Sequence, residues 1–254
     1  MGTWVQGKEL PPSLEETKKI GVGIIGYGFM GHIHTHGFAT IPMYYWPAPV
    51  VPRRVAICGR KESGVRVAAE TLGYEKFYTD YRDLVRDPEV QLVDVCTPAD
   101  SHHSQTIAAA EAGKNAICEK PVALSLEEAR EMYQAVEKAG VKNMIAFNYR
   151  FFSAVTLAKR LIAEGRLGQI LQFRAYFLFD HAARNVRTPL AWNIHKQTTG
   201  RGVLGGLGSH IADLARFLVG DVKTVSGLMG SYEGGIPDTE TSKGRVSISV
   251  HVTV

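Results

Sequence analysis

The sequence contains only three cysteines, Cys58, Cys96 and Cys118, which are too few for a small secreted domain stabilised by disulfides. Each lies in, or at the end of, a short apolar run typical of a buried strand, so we expect reduced and unreactive thiols. No stretch approaches the roughly 20 apolar residues of a membrane-spanning helix, and residues 1–20 lack the apolar centre of a signal peptide. We therefore predict a cytoplasmic protein without a membrane partner.

Charged residues form no block of one sign. The formal net charge is +4 over 254 residues, so we expect no nucleic-acid partner, although small anionic ligands stay compatible with this charge. With 45% hydrophobic residues, the chain is long enough to bury the core of one large domain or two modest ones.

Strand and helix patterns alternate over the first part of the chain. Residues 1–19, with Pro11-Pro12 and little periodicity, predict an extended arm. Strand patterns then alternate with helix patterns, which indicates a parallel sheet covered by helices in a doubly wound α/β domain over residues 20–148. The strands are predicted at 20–25, 54–58, 91–96, 115–118 and 143–147. Four helices are predicted: the first begins near Phe29, the second and third end near Leu72 and Ala112, and the fourth begins at the capping box Ser125-Leu126-Glu127-Glu128. Residues 40–52, rich in proline and aromatics, predict a long loop.

The alternation stops after Asn148, and residues 149–254 predict a second, α+β domain with a mainly antiparallel open sheet. Its predicted helices span 153–164 and 211–218, and its predicted strands span 169–179, 224–231 and 245–254. The sequence stops inside the last of these strands. An end of that kind is typical of a piece of a longer protein.

A glycine motif of the form GxGxxG lies between the first strand and the first helix, at Gly26, Gly28 and Gly31, with Phe29 and Met30 inside it. In this context the glycines permit a tight turn, approach of a pyrophosphate and close packing of the helix. Glycine-rich turns also occur for steric reasons alone. The strand before this motif and the strand–helix units after it favour dinucleotide binding.

The residues after the second strand bear on the choice between NAD and NADP. A carboxylate at this point usually binds the ribose hydroxyls of NAD, whereas this chain has Gly59, Arg60 and Lys61. Two cations suit a 2′-phosphate, which slightly favours NADP. In the alternative, Arg60 covers the adenine and Lys61 lies in solvent, so NAD stays open as the cofactor.

Three further segments follow predicted strands, at the carboxyl edge of the sheet where ligands of open α/β sheets bind: residues 97–102, Glu119-Lys120-Pro121 and residues 148–151. Together with the glycine turn and residues 208–213 (GSHIAD), they resemble the glucose-fructose oxidoreductase / inositol dehydrogenase / rhizopine catabolism (Gfo/Idh/MocA) family over roughly residues 20–221. The resemblance implies oxidation or reduction of a sugar, anhydrosugar or cyclitol by NAD(P), and a homodimer or homotetramer built on the open sheet.

The resemblance also implies roles for individual residues. Lys120 matches the family's active-site lysine, and His210 matches the histidine that is the usual candidate for proton transfer. The cofactor side is expected to include Thr97, Pro98, His102, Glu119 and Lys120, and the substrate side Lys120, Arg150, Asp180, Trp192, Asn193, His210 and Asp213.

One position departs from the family's pattern: Gly206 stands where an aspartate commonly assists the histidine. Asp213, one helical turn after His210, could replace it or be purely structural, and Asp180 and His181 are further candidates. A dinucleotide-binding sensor without turnover is therefore one alternative function. An NAD-dependent glycoside hydrolase of the same fold is another.

Three histidines, His32, His34 and His36, crowd the first helix. Positions 32 and 36 share a helix face and could contact a metal ion, but we expect no cysteine or carboxylate nearby to complete such a site. We interpret them as packing or cofactor-adjacent residues and predict no catalytic metal.

Overall fold

A computed structural model of the chain describes residues 17–45, 47–177, 204–228 and 247–251. The chain divides into two compact units. The first comprises Met1–Thr97, Ser101–Glu119 and Glu127–Met144, and the second comprises Pro98–Asp100, Lys120–Leu126 and Ile145–Val254.

A six-stranded sheet forms the centre of the first unit, in the order β3-β2-β1-β4-β5-β6. The strand pairs β1–β2, β1–β4, β2–β3 and β4–β5 are parallel. The order reverses between β1 and β4, which is the point of an open α/β sheet where ligands bind. The strands are β1 (Lys19–Ile25), β2 (Val51–Cys58), β3 (Lys76–Tyr78), β4 (Leu92–Val95), β5 (Asn115–Cys118) and β6 (Asn143–Ile145).

Five helices accompany this sheet: α1 (Phe29–Tyr44), α2 (Glu62–Leu72), α3 (Tyr81–Arg86), α4 (His102–Glu111) and α5 (Leu126–Ala139). The apolar runs that predicted β1, β2 and β4 are the core of the unit, because Val22, Ile24, Val55, Ile57, Val93 and Val95 are fully buried. Burial of a side chain of this size contributes about 1.5–3 kcal/mol. The predicted doubly wound parallel sheet is therefore confirmed.

The loop predicted over residues 40–52 is wrong for most of its length. Helix α1 continues through Pro42 to Tyr44, and β2 already begins at Val51. The fixed φ of proline is compatible with a helix, so the helix continues through Pro42 although that residue donates no backbone hydrogen bond. The amide of Tyr45 still donates to the carbonyl of Ile41 at 3.0 Å, so the last turn keeps its hydrogen bonding.

The second unit contains a short 3₁₀ turn (Asn148–Phe151), α6 (Ser153–Ala163), one π-helical turn (Leu204–Gly208), α7 (Ser209–Leu218), β7 (Thr224–Leu228) and β8 (Ser247–His251). Strands β7 and β8 pair antiparallel, with Thr224 opposite His251 and Leu228 opposite Ser247. This pairing agrees with the predicted antiparallel sheet. Among the described residues, no helix is both long and apolar enough to cross a membrane.

The strand predicted at 169–179 is not present over its described part, because residues 169–177 have no regular secondary structure. Alternation of apolar and polar residues predicts which side chains share a face, but a strand also requires a neighbouring strand for its backbone hydrogen bonds. Residues 178 and 179, and residues 1–16 of the predicted arm, lie outside the described residues.

Candidate active site

The glycine turn after β1 has the steric properties that a dinucleotide site requires. Gly26 has φ +103°, and a Cβ atom there would lie 2.7 Å from the carbonyl oxygen of Cys96. A Cβ on Gly31 would lie 2.2 Å from the carbonyl oxygen of Gly26, so α1 packs too closely on the turn for any side chain. A Cβ on Gly28 would meet no atom within 4 Å, which leaves the backbone open to a ligand.

Helix α1 begins directly at this turn. Gly28 is its N-cap and provides no side-chain cap, and no acidic residue lies in its first turn. The first amide groups of a helix attract anions, and this end of the helix has no carboxylate of its own to compete with one. Phe29 is 77% exposed and Met30 is half-buried beside the same turn.

Tyr27 covers the start of the segment that follows β2. A Cβ on Gly59 would lie 2.1 Å from Cε1 of Tyr27, so only glycine permits the ring to lie there. The amide of Gly59 donates to the carbonyl of Tyr78 at 3.1 Å. Arg60 and Lys61 are both exposed just beyond this point.

The segment after β4 is fixed by its own hydrogen bonds. Nε2 of His102 donates to the carbonyl of Thr97 at 2.8 Å, and the Thr97 hydroxyl donates to Oε1 of Gln105 at 2.6 Å. His102 is buried at the start of α4, whereas Pro98 is half-buried. The predicted cofactor-side residues Thr97 and His102 are thus in contact with each other.

A charged cluster that the sequence did not predict lies at the carboxyl ends of β4 and β5. Nδ1 of His34 is 2.8 Å from Oδ2 of Asp94, and Nε2 of His34 is 3.0 Å from Oε1 of Glu119. The thiol of Cys96 lies 3.4 Å from Nδ1 of His34. Asp94 is fully buried, and Glu119 is 5% exposed.

Our expectation that no cysteine or carboxylate accompanies these histidines is therefore wrong for His34. His34, Asp94 and Cys96 offer three ligand atoms within 4.8 Å of one another. These partners were missed because Asp94 and Glu119 are 60 and 85 residues away in sequence. One signal could have revealed them: Asp94 interrupts an otherwise apolar buried strand, and a buried carboxylate needs a partner.

The cluster changes the protonation of its members. Burial alone would lower the pKa of His34, but the hydrogen bonds and charges of Asp94 and Glu119 outweigh burial and raise it to about 10. Burial raises the pKa of the Asp94 carboxyl, which His34 opposes, and burial raises the pKa of the Cys96 thiol well above its usual range. Burial likewise raises the pKa of Cys118 to about 12, so both thiols are protonated at neutral pH.

In the second unit, the structure brings Lys120 to the segment before α7. Nζ of Lys120 donates to the carbonyl of Gly206 at 3.4 Å. This is the position at which an aspartate is common in the family that the sequence resembles. A Cβ on Gly206 would meet no atom within 4 Å, so a side chain would fit there.

His210, in the first turn of α7, is 6% exposed and lies among aromatic rings. Its ring centroid is 4.6 Å from that of Tyr149 and 5.9 Å from that of Phe147, both in edge contacts. Phe177 stacks on it at 6.2 Å with an interplanar angle of 19°. Edge and stacked contacts of this kind fix the plane of the imidazole.

Asp213, considered above as a partner of His210, is bound by Arg150. Nε of Arg150 donates to Oδ2 of Asp213 at 2.8 Å, and Nη2 donates to Oδ1. The guanidinium also lies 5.2 Å from the centroid of the Phe217 ring. Asp213 and Arg150 form a bidentate ion pair, which connects the turn at 148–151 to α7. The further predicted residues Asp180, His181, Trp192 and Asn193 lie outside the described residues.

Two segments of the chain match known protein families. Residues 20–147 match the oxidoreductase family with an NAD-binding Rossmann fold, GFO_IDH_MocA, and residues 155–254 match the GFO/IDH/MocA C-terminal domain.

Two curated relatives illustrate the similarity. The chain is 41% identical over 227 residues to levoglucosan dehydrogenase of Pseudarthrobacter phenanthrenivorans, which covers 89% of this chain and 57% of the relative. It is 34% identical over 205 residues to D-apiose dehydrogenase of Paraburkholderia graminis, which covers 81% of this chain and 51% of the relative. The chain thus spans between half and three-fifths of the length of these relatives.

Solved structures of levoglucosan dehydrogenase share the fold. The complex with NADH and levoglucosan aligns with a TM-score of 0.81 at 41% identity, covering 91% of this chain and 62% of that one. The complex with NADH and L-sorbose aligns with a TM-score of 0.82 at 42% identity, covering 85% of this chain and 58% of that one.

Proposed function

Because the chain belongs to the Gfo/Idh/MocA oxidoreductase family, whose N-terminal domain is an NAD-binding Rossmann fold, we propose that it is an NAD(P)-dependent dehydrogenase or reductase. Its reaction transfers hydride between the nicotinamide and a secondary alcohol or ketone of a sugar, anhydrosugar or cyclitol. The observation that carries the proposal is the hydrogen bond of Lys120 to the carbonyl of Gly206. That contact brings a lysine to the segment that leads, four residues later, into His210.

The residues of the glycine turn fit a dinucleotide. Gly28 leaves its backbone open, Gly31 holds α1 close to the turn, and α1 has neither a side-chain cap nor an acidic residue at its start. These features suit the pyrophosphate of NAD or NADP. When bound, the cofactor supplies the hydride chemistry at C4 of its nicotinamide.

The chain itself handles the proton and the substrate oxygen. In the oxidation direction, His210 takes the proton of the substrate hydroxyl as the C–H bond is broken and the carbonyl forms. Lys120 donates a hydrogen bond to the same oxygen and stabilises its developing negative charge. In the reduction direction, both residues act in reverse, and His210 returns the proton.

The surroundings of His210 favour this role. The rings of Tyr149, Phe147 and Phe177 hold the imidazole in one plane, and the Arg150–Asp213 ion pair ties the turn that contains Tyr149 to the helix that contains His210. A base held in one orientation transfers a proton over a short, constant distance. Asp180, Trp192 and Asn193 are proposed as further substrate-binding residues from the sequence.

Arg60 and Lys61 are proposed to contact the adenosine end of the cofactor. Both are exposed after β2, and no carboxylate stands among residues 59–61 to repel a 2′-phosphate. We therefore propose that NADP is accepted beside NAD. The solved complex of levoglucosan dehydrogenase with NADH favours NAD.

We further propose that the protein is a cytoplasmic homodimer or homotetramer. Support for the assembly comes from apolar side chains of the second unit that are more than half exposed: Phe151, Phe152, Leu167, Leu171, Tyr176 and Val225. The three cysteines are free, which agrees with a reducing compartment.

The test is to offer the purified protein NAD and NADP separately with sugars, anhydrosugars and inositols, and to follow the absorbance band of reduced nicotinamide. We expect growth of the band with at least one anhydrosugar or sugar. Lys120→Ala should lower kcat by about a hundredfold or more, with little change in the Kd for NADH. Lys138→Ala, which removes an exposed lysine from α5, is the control and should be fully active.

A dinucleotide-binding sensor without turnover is the second candidate, and Gly206 is the observation that favours it. A glycine cannot orient His210 or accept a substrate hydroxyl, and the space beside it is open. If the wild-type protein binds NADH but oxidises nothing, Gly206→Asp separates the two functions. Turnover gained by this variant would show that one lost carboxylate made the protein a sensor.

A further inference from the structure

The His34 cluster is not part of the reaction proposed above, yet it places three ionisable groups in the interior of the first unit. Asp94 and Glu119 approach the two nitrogens of one imidazole from opposite sides, at 2.8 Å and 3.0 Å. The side chain of His34 is 16% exposed, and those of Asp94 and Glu119 are 0% and 6% exposed. Burial of two carboxylates together costs several kcal/mol unless a cation or a proton lies between them.

Counting protons defines the charge of the cluster. A neutral imidazole donates from one nitrogen only, whereas two carboxylate partners require a proton in each of the two hydrogen bonds. The cluster therefore contains two shared protons and a net charge of −1, whichever atom each proton is drawn on. Both ring nitrogens are used in these hydrogen bonds, which leaves neither lone pair for a metal ion.

The cluster connects three elements that the proposed function uses. His34 lies in the second turn of α1, the helix whose start is the proposed phosphate site. Asp94 belongs to β4. Glu119 follows β5, and its amide donates to the carbonyl of Val95 at 2.9 Å. Glu119 is also the residue immediately before Lys120 in the chain.

We propose that His34 is a positioning residue. It holds the Glu119 carboxylate at the end of β5, and it thereby fixes the backbone immediately before Lys120 relative to the start of α1. The proposal rests on the proposed function for the role of Lys120. The amide of Glu119 donates to the carbonyl of Val95 in β4, and its carboxylate contacts His34 in α1, so the contact with His34 ties the end of β5 to α1.

Loss of the imidazole leaves Asp94 and Glu119 facing each other. One proton can then be shared between the two carboxyl groups, and its release as pH rises leaves two adjacent buried anions that repel each other. The other titratable groups around them are Cys96 after β4, Cys118 in β5 and Tyr74 after α2, and burial raises the pKa of each. We therefore expect the repulsion between the two carboxyl groups of such a variant to grow as pH rises.

The first test is independent of turnover. Nitrogen-15 NMR of the full chain, with the histidines labelled, should show the His34 ring protonated at both nitrogens from pH 6 to about pH 9. A neutral His34 ring at pH 8 would overturn the proposal. This measurement stands even if no sugar is oxidised, so it separates failure of this inference from failure of the proposed function.

The second test compares His34→Ala with His36→Ala, because His36 is an exposed histidine on the same helix. We expect His34→Ala to lower kcat by about tenfold to a hundredfold with a smaller change in the substrate KM, and to lose activity at a lower pH than the wild type. Added imidazole should restore kcat by refilling the space between the carboxylates. His36→Ala should match the wild type.

Two outcomes of this second test contradict the proposal: unchanged kcat in a His34→Ala protein that is merely less stable, or loss of kcat that imidazole does not restore. If His34→Ala does not fold, His34→Gln, which retains a donor for one carboxylate, takes its place and should show the same early loss with pH. If the wild type proves inactive, the Kd for NADH is measured instead. It should weaken in His34→Ala, recover with imidazole and stay unchanged in His36→Ala, and an unchanged Kd in His34→Ala would refute the proposal.

Discussion

Replacing Gly31 by alanine tests whether close packing of α1 on the glycine turn is a requirement of this fold. The Cβ atom would lie 2.2 Å from the carbonyl oxygen of Gly26, and contacts below 3.0 Å essentially do not occur. The two close atoms, O and C of Gly26, belong to the backbone and cannot turn away as a flexible side chain could. The start of α1 therefore has to move away from β1 by close to an ångström. Overpacking of this kind costs about 1–3 kcal/mol.

Gly37 provides the matched control, because it lies in the same helix and a Cβ there would meet no atom within 4 Å. Alanine has the higher helix propensity, so Gly37→Ala should raise the free energy of unfolding by about 0.5–1 kcal/mol. The same gain in helix propensity offsets part of the overpacking cost of Gly31→Ala. We therefore expect Gly31→Ala to lower the free energy of unfolding by about 1–2 kcal/mol, so that the two substitutions have opposite signs.

The assay is urea unfolding followed by far-ultraviolet circular dichroism, with the Kd for NADH measured on each folded variant. Displacement of the start of α1 should also weaken NADH binding in Gly31→Ala and leave it unchanged in Gly37→Ala. If both variants gain stability and both bind NADH like the wild type, the close approach of α1 to Gly26 is not a constraint, and our account of the glycine turn is refuted.

Two further predictions concern ion pairs. Asp213→Asn removes a buried carboxylate from Arg150, so it should lower the free energy of unfolding by about 1–3 kcal/mol and also lower kcat. The control Asp221→Asn, at the exposed Arg216–Asp221 pair, should change the free energy of unfolding by no more than about 0.5 kcal/mol. Equal losses of the two variants in urea unfolding would contradict this prediction. For pH, the pKa of His34 is raised from 6.5 to about 10, so its contribution to stability is complete below pH 6.5 and declines as pH rises toward about 10. Because one pKa unit corresponds to about 1.4 kcal/mol, we expect a loss of about 1 kcal/mol between pH 6.5 and 7.5. In this window the thiols, whose pKa in the unfolded chain is about 8.5, are still largely protonated in both states. An unfolding free energy that stays flat there would show that the cluster does not hold its proton.

Local patterns were sufficient for most of the first unit. The apolar runs of β1, β2, β4 and β5 are buried in the core, and the glycines stand where a tight turn and a close helix require them. Strand β3 (Lys76–Tyr78) was not predicted, because three residues with one lysine are too short for any periodicity. Helix α1 ends later than predicted, because the prolines and aromatics of residues 40–52 indicate a loop whereas the helix continues to Tyr44.

The site was less predictable, because its contacts join residues that are far apart in sequence. Lys120 and Gly206 are 86 residues apart, and Arg150 and Asp213 are 63 residues apart. The sequence identified Lys120 and His210 only through the family resemblance. It offered Asp213 either as a partner of His210, because one helical turn separates them, or as a structural carboxylate, and in the structure the guanidinium of Arg150 binds that carboxylate from 63 residues away.

The division of the chain into units has a consequence for modular exchange within this family. Lys120 lies in the stretch that the sequence assigns to the dinucleotide domain, yet residues 120–126 cluster with the second unit, in which Lys120 contacts the segment before His210. A chimera cut at residue 148 would therefore combine the lysine of one parent with the histidine of the other. Recombination that respects the physical units has to transfer three separate segments, whereas a single crossover at residue 148 separates Lys120 from the segment that it contacts.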